Sequence, residues 1–158
     1  FIGTMTITDS QLGSSVGVFC PHEPMMSQAL IKLKTSLKND IVVPRLILDA
    51  GVLFDPGQFA LKPRAKAEFA KVARFVQLFS PAKLVIEGHT DSDGEGVSNF
   101  RLSEQRAGEI RQYLINKHAF INAAMIEARG FGESRPLVNN DTPENRALNR
   151  RIEVIVWE

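Results

Sequence analysis

The chain has 158 residues, of which 19 are basic and 18 acidic, so its formal net charge at pH 7 is +1. This balance argues against a general nucleic-acid-binding protein, which carries a dominant basic stripe. No apolar run reaches the roughly 18–20 residues needed to cross a membrane. Because the chain begins at Phe1, we expect a processed or truncated form. We expect the single cysteine, Cys20, to be a free, buried thiol.

Residues 1–40 are predicted to form an N-terminal extension. The first part, residues 1–21, is rich in Gly, Ser and Thr and is interpreted as a loose arm or a short added strand. Over residues 25–37, apolar side chains recur at helical spacing with lysines between them. This pattern predicts a short amphipathic helix.

Residues 41–158 alternate apolar strand patterns with amphipathic helix patterns. Strands are predicted over residues 42–54, 82–88, 124–132 and 150–157, and helices over residues 63–78 and 98–117. The first strand is expected to contain a bulge at Ala50-Gly51, and the loop at residues 136–146 to hold one helical turn. Strands separated by helices favour a layered α+β fold, an α/β sandwich.

The stretch "IEGHTDSDGEG", residues 86–96, combines a histidine, several acids and three glycines. The candidate metal ligands are Glu87, His89, Asp91, His22 and His118. No pair of histidines has the H-E-x-x-H spacing, and the acids do not follow the calcium-loop pattern. A G-x-S-x-G nucleophile elbow is also absent from the sequence. We therefore expect no metal, no cofactor and no catalytic activity, and a structural role for His89.

The helix that follows this stretch brings polar side chains to the same region. Its predicted apolar face runs through Phe100, Ala107, Ile110 and Leu114. At about 100° per residue, Asn99, Leu102 and Arg106 share one shoulder of that face. Because helical side chains lean towards the N-terminus, Arg106 can reach the space of Asp91.

Asp91 and Arg106 allow two interpretations. Held a few ångströms apart but unpaired, they would bind a zwitterion, with Asp91 taking an ammonium and Arg106 a carboxylate. Gly94 and Gly96 would let the backbone come close to such a ligand. Alternatively, the two side chains form a structural salt bridge. Sequence spacing alone leaves both open.

The stretch from Thr90 to Ala107 resembles the signature of the OmpA-like C-terminal domain family, T-D-x-x-G followed by N-x-x-L-S-x-x-R-A. Downstream, "GFGESRP", "NND" and "RALNRRIEV" match the closing stretch of the family, and "VLFDPGQFALKP" resembles its first strand and turn. The resemblance covers about residues 45–158. It implies a βαβαββ-type domain that binds peptidoglycan, without catalysis, through the diaminopimelate of the stem peptide.

The resemblance also implies a binding site. The predicted site residues are Asp91, Arg106, Asn99, Leu102, Thr90, Asp93, Arg150 and Gly57. In the family pattern, Asp91 takes the amino group of diaminopimelate and Arg106 its carboxylate. Gly57 offers backbone contacts, and Thr90 braces the loop. Asp93 is an additional acid where family members often carry a neutral residue.

The resemblance implies a periplasmic protein that is attached to the outer membrane or to an envelope-spanning complex. Its expected function is to anchor an outer membrane, secretion-system or flagellar-stator protein to the cell wall, with membrane contact through an anchor outside this sequence. The alternative is a protein-interaction subunit in which residues 1–40 dock an envelope protein and wall binding is secondary. We expect no nucleic-acid partner.

Overall fold

The structure is a computed structural model that describes the backbone of residues 3–11, 14–21 and 29–33, and residues 45–157 with their side chains. The first three segments are strands of one antiparallel sheet in the order β1-β2-β3. They are β1 (Gly3–Gln11), β2 (Ser14–Pro21) and β3 (Ala29–Leu33). Residues 1–21 therefore contribute strands, one of the two expected forms.

The helix predicted over residues 25–37 is wrong for the segment that forms β3. Ala29, Ile31 and Leu33 alternate along this segment, so its apolar pattern fits a strand as well as a helix. Pairing with β2 decides between them, because strand formation depends on tertiary neighbours. The rest of the predicted helix, and the side-chain environment of Cys20, lie outside the described residues.

The remaining elements form a four-stranded sheet with helices. The strands are β4 (Arg45–Asp49), β5 (Lys83–His89), β6 (Ile126–Gly132) and β7 (Arg151–Trp157), in the order β4-β7-β5-β6. β7 is antiparallel to β4 and β5, whereas β5 and β6 are parallel. The helices are α1 (Ala50–Leu53), α2 (Ala65–Phe79), α3 (Gly96–Lys117) and α4 (Pro143–Asn149). The expected α+β fold is confirmed.

The strand predicted over residues 42–54 is too long, because the chain turns into α1 after β4. The carboxylate of Asp49 accepts a hydrogen bond from the Gly51 amide at 2.7 Å and thereby caps α1. The Phe54 amide closes this helical turn on the Ala50 carbonyl at 2.8 Å. Ala50-Gly51 is therefore the first turn of a helix and not a β-bulge.

Apolar faces of α2 and α3 pack on the sheet to form the core. Its members include Phe69, Val72, Phe75, Ile110, Leu114, Leu84, Ile86, Ile152 and Val154, all at most 2% exposed. The periodicity that predicted α2 and α3 is the same one that buries these side chains. Among the described residues, no helix has the length and apolarity to span a bilayer.

Glycines let the start of α3 lie very close to the sheet. A methyl group on Gly88 would lie 2.2 Å from the Ser103 carbonyl oxygen, and one on Gly130 would lie 2.4 Å from the Glu104 amide nitrogen. No large side chain fits between two backbones at such a distance. Phe100, which was predicted on the apolar face of α3, is instead 48% exposed. The buried face of α3 therefore continues through Ala107, further along the helix.

Candidate functional site

A cavity of about 600 Å³ lies beside the C-terminal ends of β4 and β5. All eight residues of the predicted site line it: Asp91, Arg106, Asn99, Leu102, Thr90, Asp93, Arg150 and Gly57. They come from the loop after α1, the loop after β5, α3 and the junction of α4 with β7. The structure thus brings the predicted residues together, while their binding roles stay predictions.

Asp91 is held at the end of β5 by its neighbours in the chain. The Thr90 amide continues the sheet by donating to the Gly132 carbonyl at 2.9 Å, and the Thr90 hydroxyl donates to the Asp91 carbonyl at 2.9 Å. The Asp91 carboxylate accepts from the Asp93 amide at 3.3 Å and from Arg150 Nη1 at 2.5 Å. Only 6% of Asp91 is exposed, so this carboxylate is a fixed negative charge in the cavity wall.

Asn99, in the first turn of α3, ties two loops together. Its amide nitrogen donates to the Asp93 carbonyl at 3.1 Å and to the Glu133 carboxylate at 2.7 Å. It also lies 3.4 Å from the Asp91 carbonyl. These contacts join the loop after β5 to the loop after β6. Asn99 therefore holds the backbone of the cavity in place as well as lining it.

Arg106 is buried, and backbone carbonyls of the loop after α1 fix its guanidinium group. Its Nε donates to the Gln58 carbonyl at 2.9 Å and its Nη2 to the Asp55 carbonyl at 3.3 Å. The guanidinium carbon lies 5.0 Å from the centroid of the Phe54 ring. Burial lowers the pKa of Arg106; the negative charge of Asp91 opposes this effect, and the charge of Arg150 adds to it. An arginine nevertheless stays charged at neutral pH.

Asp91 and Arg106 do not pair with each other. Among residues 45–157, the salt bridge of Asp91 is to Arg150, and no ion pair joins it to Arg106. The structural salt bridge left open by the sequence is therefore not the one that forms. Two buried charges of opposite sign therefore line one cavity, and Arg106 uses neutral carbonyls as its partners.

The other predicted residues shape the rim of the cavity. Gly57 has a φ of +69°, in the left-handed region that favours glycine, so the turn after α1 depends on it. Leu102 is half-buried in the wall. The Asp93 carboxylate lies 3.6 Å from Arg146 Nε, and its side chain is 73% exposed. Asp93 is therefore a rim charge, screened by water and shared with α4.

Lys62 also lines the cavity, although it is not among the residues predicted from the sequence. Its ammonium group lies 2.8 Å from the Asp55 carboxylate and donates to the Gly51 carbonyl at 3.1 Å. It thereby clamps the loop that holds Arg106. The sequence feature that could have indicated Lys62 is its position in "LFDPGQFALKP", the same turn that contributes Gly57.

A buried cluster of charged residues lies on the strands that lead to the cavity. Glu87 and Glu153 are opposite each other in the pairing of β5 with β7. Glu153 accepts from Arg45 at 2.7 Å and from Arg151 at 2.8 Å. The ligand atoms of Glu87, His89 and Glu153 lie within 4.8 Å of one another, a spacing that could hold a metal ion. However, the two arginines on Glu153 oppose a further cation there.

His89 is a buried, neutral member of this cluster. Its Nε2 lies 3.9 Å from both Glu87 and Glu153, and neither ring nitrogen has a hydrogen-bond partner among the described residues. Its ring stacks on Phe131 with the centroids 5.5 Å apart. Burial, followed by the positive charge of Arg151, lowers the pKa of His89 from 6.5 to about 3. His89 therefore packs as an uncharged ring directly before the site.

The fold and the cavity together define a small α+β domain with opposite charges in one cavity. The sequence profile of the OmpA family matches residues 53–150. The chain belongs to the OmpA family, and the resemblance described above is confirmed.

Three similar proteins, two of them compared through their solved structures, give the scale of the similarity. Outer membrane porin F of Pseudomonas aeruginosa is 39% identical over 114 residues, which is 72% of this chain but 32% of that protein. A putative MotB-like protein from Desulfovibrio vulgaris superposes with a TM-score of 0.64 at 31% identity, covering 73% of each chain. The cell wall anchor of the T6SS from Pseudomonas aeruginosa superposes with a TM-score of 0.65 at 22% identity, covering 75% of this chain and 85% of that chain. At that identity the likeness establishes the fold. The chain spans about a third of the length of porin F.

Proposed function

We propose that this domain binds peptidoglycan through the diaminopimelate of the stem peptide and so anchors an envelope protein to the cell wall. One observation carries the proposal: buried Asp91 and Arg106 line one cavity without forming an ion pair with each other. Within the stem peptide, one end of diaminopimelate keeps a free ammonium and a free carboxylate on the same carbon. Such a zwitterion matches a carboxylate and a guanidinium group that line the same cavity.

The contacts of Arg106 leave it able to take a carboxylate. A guanidinium group has five N–H donors, and the described structure uses two of them on the carbonyls of Gln58 and Asp55, so three remain. They belong to Nη1 and Nη2, the pair that binds a carboxylate end-on through two parallel hydrogen bonds. The carbonyls fix the orientation of the group, so little side-chain entropy is lost on binding.

Binding at a single site should be weak. Each charge-assisted hydrogen bond contributes about 1.5–3 kcal/mol, and the cost of association offsets much of that sum. A cell wall presents many copies of the same stem peptide, so several anchors in one complex bind with raised avidity.

The proposed location is the periplasm, with attachment to the outer membrane or to an envelope-spanning complex. The similarity to an outer membrane porin supports an envelope role. Residues 1–40 are proposed to form a separate part that docks other envelope proteins. The pairing of β1, β2 and β3 in their own sheet, apart from β4–β7, supports this division.

The test is co-sedimentation with purified peptidoglycan of the diaminopimelate type. Wild type should pellet, whereas Asp91→Asn and Arg106→Ala should stay in solution. The controls are Glu109→Gln and Arg101→Ala, which remove exposed charges of the same helix and should pellet like wild type.

Peptidoglycan with lysine in place of diaminopimelate is the ligand control. Lysine lacks the carboxylate that Arg106 would bind, so the domain should bind lysine-type peptidoglycan more weakly. Equal pelleting with both wall types, or pelleting by a folded Asp91→Asn variant, would overturn the proposal.

A further inference from the structure

Arg150 occupies the carboxylate that the proposed ligand needs for its ammonium. Its Nη1 donates to Asp91 Oδ2 at 2.5 Å. The Asp91 side chain is 9% exposed, whereas that of Arg150 is 42% exposed. Within residues 45–157, the structure gives the Arg150 side chain no other hydrogen bond or ion pair. Besides the Asp93 amide, the buried carboxylate of Asp91 is therefore bound by one side chain among the described residues, that of the partly exposed Arg150.

The backbone of Arg150 is fixed although its side chain is not. Its amide donates to the Arg146 carbonyl at 3.1 Å and closes the C-terminus of α4. Its carbonyl accepts from the Ala50 amide at 3.0 Å, which links it to α1. The guanidinium group can therefore leave Asp91 by side-chain rotation alone, without any change in the fold.

The charges next to Asp91 disfavour the binding of a simple amine. Of the six charged residues within residues 45–157 that line the cavity, Lys62 pairs with Asp55, and the exposed Asp93 lies near Arg146. The other three are the buried carboxylate of Asp91 and the guanidinium groups of Arg106 and Arg150. An ammonium that binds Asp91 without a carboxylate of its own adds a third cation to these three groups and leaves Arg150 without a partner. A zwitterion brings its own carboxylate, which lies next to the ammonium and can receive the displaced guanidinium group.

We propose that Arg150 is an exchangeable counter-ion that makes the cavity selective for zwitterions. In the free cavity it neutralises Asp91. When a ligand's ammonium takes Asp91, Arg150 moves to the ligand's carboxylate and holds it together with Arg106. The choice of ligand rests on the proposed function above; the exchange itself rests on the position of Arg150.

Two probes separate the two charges of the ligand. One is meso-diaminopimelic acid, and the other is cadaverine, which is the same carbon chain without the two carboxylates. Dissociation constants of both are measured by NMR titration of the ¹⁵N-labelled chain, with wild type and Arg150→Ala compared. The spectra also report whether each variant is folded.

The expected result is a loss of discrimination in the variant. Arg150→Ala should bind cadaverine about fivefold more tightly than wild type, because Asp91 has lost its internal competitor; fivefold corresponds to about 1 kcal/mol, the upper range for a partly exposed ion pair. It should bind diaminopimelate about fivefold more weakly. Arg150→Gln, which keeps a polar side chain but removes the charge, should behave in the same way. Arg101→Ala, an exposed site on α3, should leave both constants unchanged.

The exchange is overturned if the variant binds both probes more weakly by the same factor, which indicates a structural role. It is also overturned if cadaverine affinity does not rise, since Arg150 is then a plain carboxylate ligand. Failure of wild type to bind diaminopimelate is a different result. That outcome overturns the proposed function, while a rise in cadaverine affinity in Arg150→Ala would still show that Arg150 competes for Asp91.

Discussion

His89 should make the folded domain sensitive to acid. Burial and the charge of Arg151 lower the pKa of this 2%-exposed side chain from 6.5 to about 3. Between pH 6.5 and about pH 3, His89 is therefore protonated in the unfolded chain but neutral in the folded chain. The contribution of His89 is therefore fully present above the unfolded pKa and is lost as the pH falls towards the folded pKa.

The size of the effect follows from the two pKa values. At pH 4 the pH is 2.5 units below the pKa of 6.5 that His89 has in the unfolded chain, so the imidazole is protonated there. In the folded chain the imidazole is still neutral at this pH. At 1.36 kcal/mol per unit, the free energy of unfolding should drop by about 3 kcal/mol between pH 7 and pH 4 from this residue alone. The lowered pKa of Glu153 acts in the same direction, and the raised pKa of Glu87 acts in the opposite one.

The variant that isolates this contribution is His89→Phe, which keeps an aromatic ring against Phe131 but cannot be protonated. Urea unfolding followed by circular dichroism at pH 7, 5.5 and 4 gives the free energy of unfolding for both proteins. The variant can be less stable at pH 7, yet its loss on acidification should be about 3 kcal/mol smaller than that of wild type. Parallel pH profiles for the two proteins would refute the reasoning.

Three further substitutions test how the scaffold positions the cavity. Gly88→Ala should destabilise the domain by about 3 kcal/mol or more, because its methyl group meets the backbone of Ser103 at 2.2 Å; thermal unfolding checks this. Asp49→Ala removes the cap of α1 and should cost about 1 kcal/mol in urea unfolding. Asn149→Ala removes a fully buried amide that makes four hydrogen bonds to residues 137–140, and should cost about 2–4 kcal/mol. Because Asn149 precedes Arg150, this variant should also bind diaminopimelate more weakly in the NMR titration.

Local patterns predicted the elements whose apolar periodicity is long and regular. Helices α2 and α3 and strands β5, β6 and β7 lie close to the positions expected from sequence. The segment 29–33 fits both periods, so its assignment to β3 required the neighbouring strand. The turn into α1 is stabilised by one hydrogen bond from the Gly51 amide to the Asp49 carboxylate. It lies within an apolar run whose pattern predicts a continuous strand.

The composition of the site was predicted better than its pairings. A signature in order along the chain identified eight residues that meet at one cavity. The partner of Asp91 was not foreseen, because Arg150 lies 59 residues away and reaches it through the position of β7 in the sheet. The same holds for Glu87 and Glu153, which become neighbours when β7 pairs with β5. Such contacts follow from strand order, which sequence periodicity does not contain.

The order β4-β7-β5-β6 also has a consequence for how the domain folds. The last strand along the chain, β7, occupies the middle of the sheet, and it is the sole sheet neighbour of β4 among the described residues. In a nascent chain that emerges from a ribosome or a membrane pore, β4 therefore cannot pair with a strand of its sheet until residues 151–157 have emerged. Folding of this domain should begin late and depend on contacts between distant segments, which is slow. Before β7 is present, the segment Arg45–Asp49 is unpaired and can bind chaperones. A chain truncated before Arg151 should not fold.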